Sequence, residues 1–130
     1  MNKWHRLMQE FQTALATFQK SDTIQRLQRD DIRPEHYQAI LRQIFHHARE
    51  NPQIQALATV YFRGKQRDMV KRFYAHASSE IGHDQLALND LAAMGIDTAA
   101  IPEEYPIPAT TGLLAYAFYQ IRNHNPVGYL

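Results

Sequence analysis

One stretch of the sequence carries a longer helical pattern than any other part of the chain, and it constrains the fold class most. Between about residues 65 and 94, apolar side chains recur every three or four positions, which is the spacing of one face of an α-helix. This face consists of Val70, Phe73, Tyr74, Ala77, Ile81, Leu88 and Leu91. Gly82 falls in the middle of the predicted helix, where a glycine usually permits close approach of another element or a ligand.

Four other segments show the same periodicity, and no segment alternates apolar and polar residues as a β-strand does. The predicted helices cover about residues 3–27, 34–50, 52–62 and 110–124. Ser21 is a possible break in the first of them, and Asn51-Pro52 is expected to interrupt the second. The sequence therefore predicts an all-α protein, with residues 1–130 as a single helical domain made of an N-terminal helix (1–30) and core helices (34–130).

The last predicted helix is apolar on nearly every side, which predicts burial on most of its surface. Its apolar members are Leu113, Leu114, Tyr116, Ala117, Phe118, Tyr119 and Ile121. Because the 130 residues provide no further layer to cover it, we expect a homo-oligomer or a second subunit to do so.

Composition excludes several functions. Lys and Arg total 14 against 13 Asp and Glu, and this net charge of only +1 argues against nucleic-acid binding. The basic run at residues 63–72 is interpreted as a solvated helix face. Cysteine is absent, which excludes a disulfide, a thiolate zinc site and a cysteine nucleophile. There is no signal-peptide pattern and no run of about 20 apolar residues. These features predict a cytoplasmic protein that binds neither nucleic acid nor membrane.

The central stretch also holds a cluster of possible metal ligands. His76, Glu80 and His83 follow the i, i+4, i+7 spacing of one helix face, and Asp84 lies four residues after Glu80. Glu80 and Asp84 fall on the apolar face and should be partly buried, where a carboxylate needs a cation, a metal or hydrogen bonds. Glu-x-x-His recurs in helical bundles that hold two irons.

A simpler interpretation stands beside the metal site. Glu80 could pair with His83, or with an arginine such as Arg72, without any metal. Single histidines on amphipathic helices are more often hydrogen-bonded than ligating, and we read His5, His36, His46 and His124 in that way. His46 is expected to point away from the apolar stripe of its helix.

Three pieces of the chain together resemble a known family. They are Leu41-Arg-Gln-Ile-Phe-His-His47, the run from His76 to Gly95, and Pro106-Ile-Pro-Ala-Thr-Thr followed by Tyr119 and Asn125-Pro-Val-Gly-Tyr-Leu130. They resemble the iron-containing redox enzymes, di-iron oxidases of the haem-oxygenase-like superfamily, whose relatives include pyrroloquinoline-quinone synthase and thiaminase-II-type proteins.

The resemblance implies a haem-oxygenase-like helical bundle around one or two non-haem irons, which acts with O₂ on a small-molecule substrate. It implies Glu80 and His83 as metal ligands. His47 stands near the place of a further ligand, with His46 and Glu50 as alternatives. His76 would either face the substrate as a catalytic residue or donate a hydrogen bond to one of the metal ligands.

The family supplies further ligands from a late helix with a His-x-x-x-Asp-x-x-His pattern, which this sequence does not contain. We therefore expect the chain to correspond to the N-terminal part of such a protein, truncated before that helix, or to one half of a split pair. Two alternative functions stay open. One is a non-catalytic helical module that binds a ligand or a protein, and the other is a cofactor-free oxidase or hydrolase similar to the quinone-synthase and thiaminase branch, using His76 and tyrosines.

Overall fold

The computed structural model describes residues 2–129, and in this range it contains only helices and their connections. Six α-helices follow one another: α1 (Lys3–Gln19), α2 (Asp22–Gln28), α3 (Pro34–Ala58), α4 (Arg67–Glu80), α5 (His83–Ala93) and α6 (Pro108–Asn123). Short 3₁₀ helices occupy Thr59–Phe62, Ile101–Glu103 and Pro126–Tyr129. The predicted all-α class is confirmed. Leu130, the last residue of the third piece that resembles the known family, lies outside the described residues.

The chain divides into two compact units, one ending at Tyr37 and the other beginning at Gln38. In the first unit, α1 begins where the Asn2 side chain accepts a hydrogen bond from the Trp4 amide at 3.1 Å, which satisfies a donor that the first turn leaves unpaired. The predicted helix 3–27 is broken at Ser21, which precedes α2. The apolar stripe of α1 is exposed, and no residue of this helix is buried.

In the second unit, α3 differs from its prediction. The helix continues through Pro52 as one element of 25 residues, and only its end tightens into the 3₁₀ turn Thr59–Phe62. Proline removes a single backbone donor, and this loss does not end a helix whose inner face packs along its whole length. The inner face contributes Leu41 and Phe45 before Pro52, and Ile54 and Ala58 after it.

The predicted central helix is two helices. α4 ends at Glu80, Ile81 takes an extended conformation, Gly82 has φ +94°, and α5 begins at His83. The apolar periodicity continues across this break, and for that reason the pattern predicts one helix. Gly82 has a left-handed backbone conformation, which residues with a Cβ atom rarely adopt.

The buried apolar side chains form two clusters at different heights along α3. One joins the start of α3 to α5 and the 3₁₀ helix that follows it, with Leu41, Phe45, Ala87, Leu91 and Ile101. The other joins the end of α3 to α4 and α6, with Ile54, Ala58, Phe62, Phe73, Ala117 and Ile121. Burying each Phe, Leu or Ile contributes about 1.5–3 kcal/mol relative to leaving it exposed. Asn51 lies on α3 between the two clusters, and Glu80 is the last residue of α4, at the break before α5.

The prediction that His46 points away from the apolar stripe of its helix is wrong. His46 is buried, only 1% exposed, with its ring edge-to-face against Phe45 at 5.3 Å between centroids. α6 buries only Ala117 and Ile121, and its larger side chains Leu113, Tyr116 and Tyr119 are 55–60% exposed. The described residues provide no layer over that face, and cover by a homo-oligomer or a second subunit stays a prediction.

The connection between α5 and α6 is held against α3 by polar contacts. The Arg49 guanidinium donates to the Pro102 carbonyl at 2.8 Å, and the Ile107 amide donates to the Gln43 side chain at 3.0 Å. Arg42 forms an ion pair with Glu104. These contacts fix the start of α6. No helix among the described residues is long and apolar enough to cross a membrane.

Candidate carboxylate and histidine site

The break between α4 and α5 brings two histidines to one carboxylate. The Nε2 atom of His76 lies 3.2 Å from Oε1 of Glu80, and Nδ1 of His83 lies 3.1 Å from its Oε2. His76 is one helical turn before Glu80, whereas His83 reaches it from the first residue of α5. The Glu80 side chain is 21% exposed, while the two imidazoles are each nearly half exposed. Glu80 is therefore partly buried, as predicted, with an imidazole on either oxygen.

A third donor approaches Glu80 from α3. The Asn51 side-chain nitrogen Nδ2 donates to Oε2 of Glu80 at 3.0 Å, and the side-chain oxygen Oδ1 of Asn51 accepts from Nε2 of Gln55 at 3.2 Å. Gln55 is buried, and its own oxygen has no hydrogen-bond partner among the described residues. A polar chain thus runs from the inner face of α3 to the two imidazoles.

Asn51 and Gln55 were not predicted from the sequence, because Asn51-Pro52 was interpreted as a helix end. If α3 is instead continued through Pro52, then Ala48, Asn51, Gln55 and Ala58 recur at three and four positions and share one face. Two amides on a face that is otherwise apolar are a signal for a buried polar partner on the facing helix.

The hydrogen bonds keep Glu80 ionised. Partial burial raises the pKa of Glu80, but the hydrogen bonds from His83 and Asn51, together with the charges of His83 and His76, outweigh it and hold the pKa below its ordinary value of 4.5. An ionised carboxylate can only accept hydrogen bonds. The ring nitrogens that face Glu80 must therefore carry the hydrogens.

This requirement selects one tautomer of each neutral histidine. In the neutral rings we assign the hydrogen of His83 to Nδ1 and that of His76 to Nε2, the nitrogens that face the carboxylate, which leaves Nε2 of His83 and Nδ1 of His76 as acceptors. A carboxylate that accepts from one ring nitrogen fixes the tautomer and the orientation of the imidazole. Each free nitrogen can accept a proton or bind a metal.

An apolar groove lies between α3 and α4 next to this cluster. It encloses about 590 Å³ and is lined mainly by small side chains, including Ala48, Pro52, Ala56 and Ala77. Asp84 and Ile81 line it where α4 gives way to α5. His76, Glu80 and His83 do not line it, so the groove and the cluster are neighbouring but separate features.

The described fold is similar to a solved structure. A crystal structure of a domain of unknown function with a haem-oxygenase-like fold, from Shewanella denitrificans OS217, matches the chain with a TM-score of 0.85 and 25% sequence identity. The match covers 98% of this chain and 55% of that one.

The chain has a haem-oxygenase-like fold. The predicted superfamily is confirmed at this level, and the chain spans about half the length of the structure it matches. No family model and no curated protein matches the chain.

Within this haem-oxygenase-like fold, the predicted metal ligands do not all meet. His47 lines a different cleft, between α3 and the start of α6, with Ile40, Ile44 and Leu113 among its neighbours. No group of three or more His, Asp or Glu side chains in residues 2–129 is arranged to hold a metal ion. The residues described here therefore do not fit a complete iron site.

The structure brings Glu80 together with His83, His76 and Asn51. Arg72 forms no ion pair with any described residue. Of the alternatives to His47, His46 has neither ring nitrogen hydrogen-bonded within the described residues, and Glu50 lies 3.4 Å from the Arg49 guanidinium.

Proposed function

We propose that the cluster of Glu80, His76 and His83 is the reactive centre of an enzyme that acts on a small molecule, with the histidines as proton acceptors. The observation that carries this proposal is that one ring nitrogen of each histidine lies within 3.2 Å of an oxygen of the same carboxylate, with the other ring nitrogen facing away from it. Such pairs are the usual means by which proteins make a general base at neutral pH.

In this mechanism, each residue has a defined task. Glu80 orients the rings and stabilises the positive charge that develops when a ring accepts a proton. Nε2 of His83 or Nδ1 of His76 removes the proton from the substrate. Asn51 donates to Oε2 of Glu80 and thereby holds the carboxylate in position from α3.

Histidine reactivity tests this proposal without knowledge of the substrate. Diethyl pyrocarbonate modifies unprotonated imidazole nitrogens. At about pH 8, above the ordinary histidine pKa, it should modify His83 and His76 of the wild-type protein faster than His5, as followed by mass spectrometry. In Glu80→Gln, the rates at both sites should fall several-fold, since a neutral amide does not activate an imidazole. Equal rates in the two proteins would remove the proposed role of Glu80.

The iron-dependent oxidase is the second proposal, with one or two non-haem irons, O₂ and a small-molecule substrate. It is supported by the haem-oxygenase-like fold and by the Glu80–His83 spacing, and it requires ligands in addition to those that the described residues bring together. Glu80, His83 and His47 are the proposed ligands from this chain, and His76 is the proposed catalytic residue.

Elemental analysis of protein purified with added ferrous iron distinguishes the two proposals. If the cluster binds iron, the wild-type protein should retain it and Glu80→Ala should not. His47→Ala then reports whether the proposed third ligand contributes. Equal, near-zero iron in the wild type and Glu80→Ala would leave only the proton-transfer proposal.

A further inference from the structure

A second, basic cleft lies next to the apolar groove between α3 and α4, and the two are called the apolar section and the basic section. The basic section encloses about 410 Å³ beside the start of α4. Three cations line it, namely Lys65, Arg67 and Lys71, together with apolar atoms of Val60 and Val70. Within residues 2–129, no acidic side chain is part of its lining.

Tyr74 lines both sections, and its hydroxyl is hydrogen-bonded to the Thr59 hydroxyl at 3.1 Å, so its side chain forms the boundary between them. The lining residues of the two sections are close together in sequence. Ala56 of the apolar section is three residues before Thr59 of the basic section, and Lys71 of the basic section is six residues before Ala77 of the apolar section, with Tyr74 between them. From Arg49 to Thr59 the groove follows ten residues, or about 15 Å at the rise of an α-helix.

The basic section concentrates charge in a chain that is otherwise slightly acidic. Residues 63–72 hold five of the fourteen lysines and arginines and one of the thirteen acidic residues. They carry a formal charge of +4, whereas the rest of the chain carries −3. None of Lys65, Arg67 and Lys71 forms an ion pair with a described residue. Their mutual repulsion would be relieved by an anion bound among them.

We propose that this groove binds an amphiphile with a phosphate head group. The phosphate lies among Lys65, Arg67 and Lys71, and the apolar part passes Tyr74 into the section lined by Ala56 and Ala77. A phosphate monoester carries about −1.5 to −2 charges near neutral pH, which matches three cations better than a single carboxylate does. The apolar section provides the contact that inorganic phosphate cannot use.

Calorimetric titration with octyl phosphate, below the concentration at which it forms micelles, tests the proposal. Octyl phosphate should bind at least about tenfold tighter than either inorganic phosphate or octyl glucoside, because only octyl phosphate engages both sections. Binding of all three with similar affinity would overturn the proposal.

Two adjacent cations provide a matched pair of variants. Lys71→Gln should weaken octyl phosphate binding about tenfold, the effect expected for one charge-assisted contact. Arg72→Gln removes the same charge from the neighbouring position, which does not line the groove, and should change affinity by less than about twofold. An equal loss of octyl phosphate affinity in the two variants would mean that the positive surface attracts the anion without a defined site, and it would overturn the proposal.

Further variants test the apolar section and the independence of the groove from the Glu80 cluster. Ala56→Leu narrows the apolar section and should weaken octyl phosphate binding but not inorganic phosphate binding, with circular dichroism to verify folding.

Glu80→Gln should leave octyl phosphate binding unchanged, because the groove does not include the carboxylate. The phosphate proposal therefore does not depend on the proposed reactive centre. Binding to vesicles of anionic lipid without binding of monomeric octyl phosphate would overturn the groove in favour of a membrane-facing patch.

Discussion

The Nδ1 atom of His83 lies 3.1 Å from Oε2 of Glu80, although one helix ends at Glu80 and the next begins at His83. The turn at Ile81 and Gly82 keeps the two side chains together while redirecting the chain. In a continuous helix, an i, i+3 pair would also be close. The break therefore preserves the contact and changes only the direction in which α5 leaves.

The acid dependence of stability tests the environment of Glu80. Because its pKa in the folded protein is below the ordinary 4.5, the ionised side chain stabilises the fold above about pH 4.5, and this stabilisation is lost as the pH falls through the folded-state pKa. Glu80→Gln should lower the free energy of unfolding by about 1–3 kcal/mol at pH 7, since it weakens hydrogen bonds to a charged group.

Urea denaturation at pH 7 and at pH values below 4.5 measures this difference. The difference in the free energy of unfolding between the wild type and Glu80→Gln should become smaller on acidification. Asp84→Asn is a suitable control, because Asp84 is also partly buried and contacts neither imidazole; it should change stability by less than about 0.5 kcal/mol. A gap that is independent of pH would contradict the assigned ionisation of Glu80.

Two glycines should respond in opposite directions to the same substitution. Gly82 has φ +94° and open space around the position of a Cβ atom, so Gly82→Ala should destabilise the protein by about 1–2 kcal/mol through backbone strain alone. Gly112 lies within α6, also with open space, and Gly112→Ala should stabilise it by about 0.5–1 kcal/mol. Thermal denaturation of both variants measures the contrast, and a stabilising Gly82→Ala would show that the helix break is absent in solution.

The buried His46 should make the protein sensitive to mild acid. Burial lowers its pKa, the positive charge of Arg49 lowers it further, and Glu104 acts in the opposite direction. Because the unfolded chain takes up a proton near pH 6.5 and the folded protein does so only at lower pH, stability should fall as the pH decreases below about 6.5.

His46→Leu should flatten this dependence, and it also removes two ring nitrogens that lack hydrogen-bond partners among the described residues. Urea denaturation at about pH 7.5 and about pH 5.5, on either side of the ordinary histidine pKa, is the measurement. The exposed His124 replaced by Gln is the control. An equal loss of stability on acidification in the wild type and in His46→Leu would show that another group is responsible.

The exposed side chains of α6 should drive self-association. Leu113, Tyr116 and Tyr119 present an apolar face that is more than half exposed, and we propose that a second copy or another subunit covers it. Light scattering after size exclusion should give a mass above that of one 15.1 kDa chain, decreasing towards it in Leu113→Lys. Thr111→Lys, an exposed polar position on the same helix, should have no effect. A wild-type monomer at micromolar concentration would contradict this prediction.

Periodicity along the chain is enough to predict the all-α class, the approximate positions of the helices, and the contact between Glu80 and His83. These depend on local periodicity, since residues three or four apart on a helix are neighbours in any fold. The amino-acid pattern also determined that α6 has more apolar surface than one side of a helix can bury.

Whether a helix stops or continues depends on packing between elements that are distant in sequence. Pro52 lies within α3 because packing on both of its sides outweighs the loss of one hydrogen bond, and Gly82 ends α4 although the apolar pattern runs past it. The same packing buries His46, brings Asn51 to Glu80, and takes His47 to another cleft. Contacts between residues distant in sequence depend on how helices cross, and periodicity along one helix carries no information about that crossing.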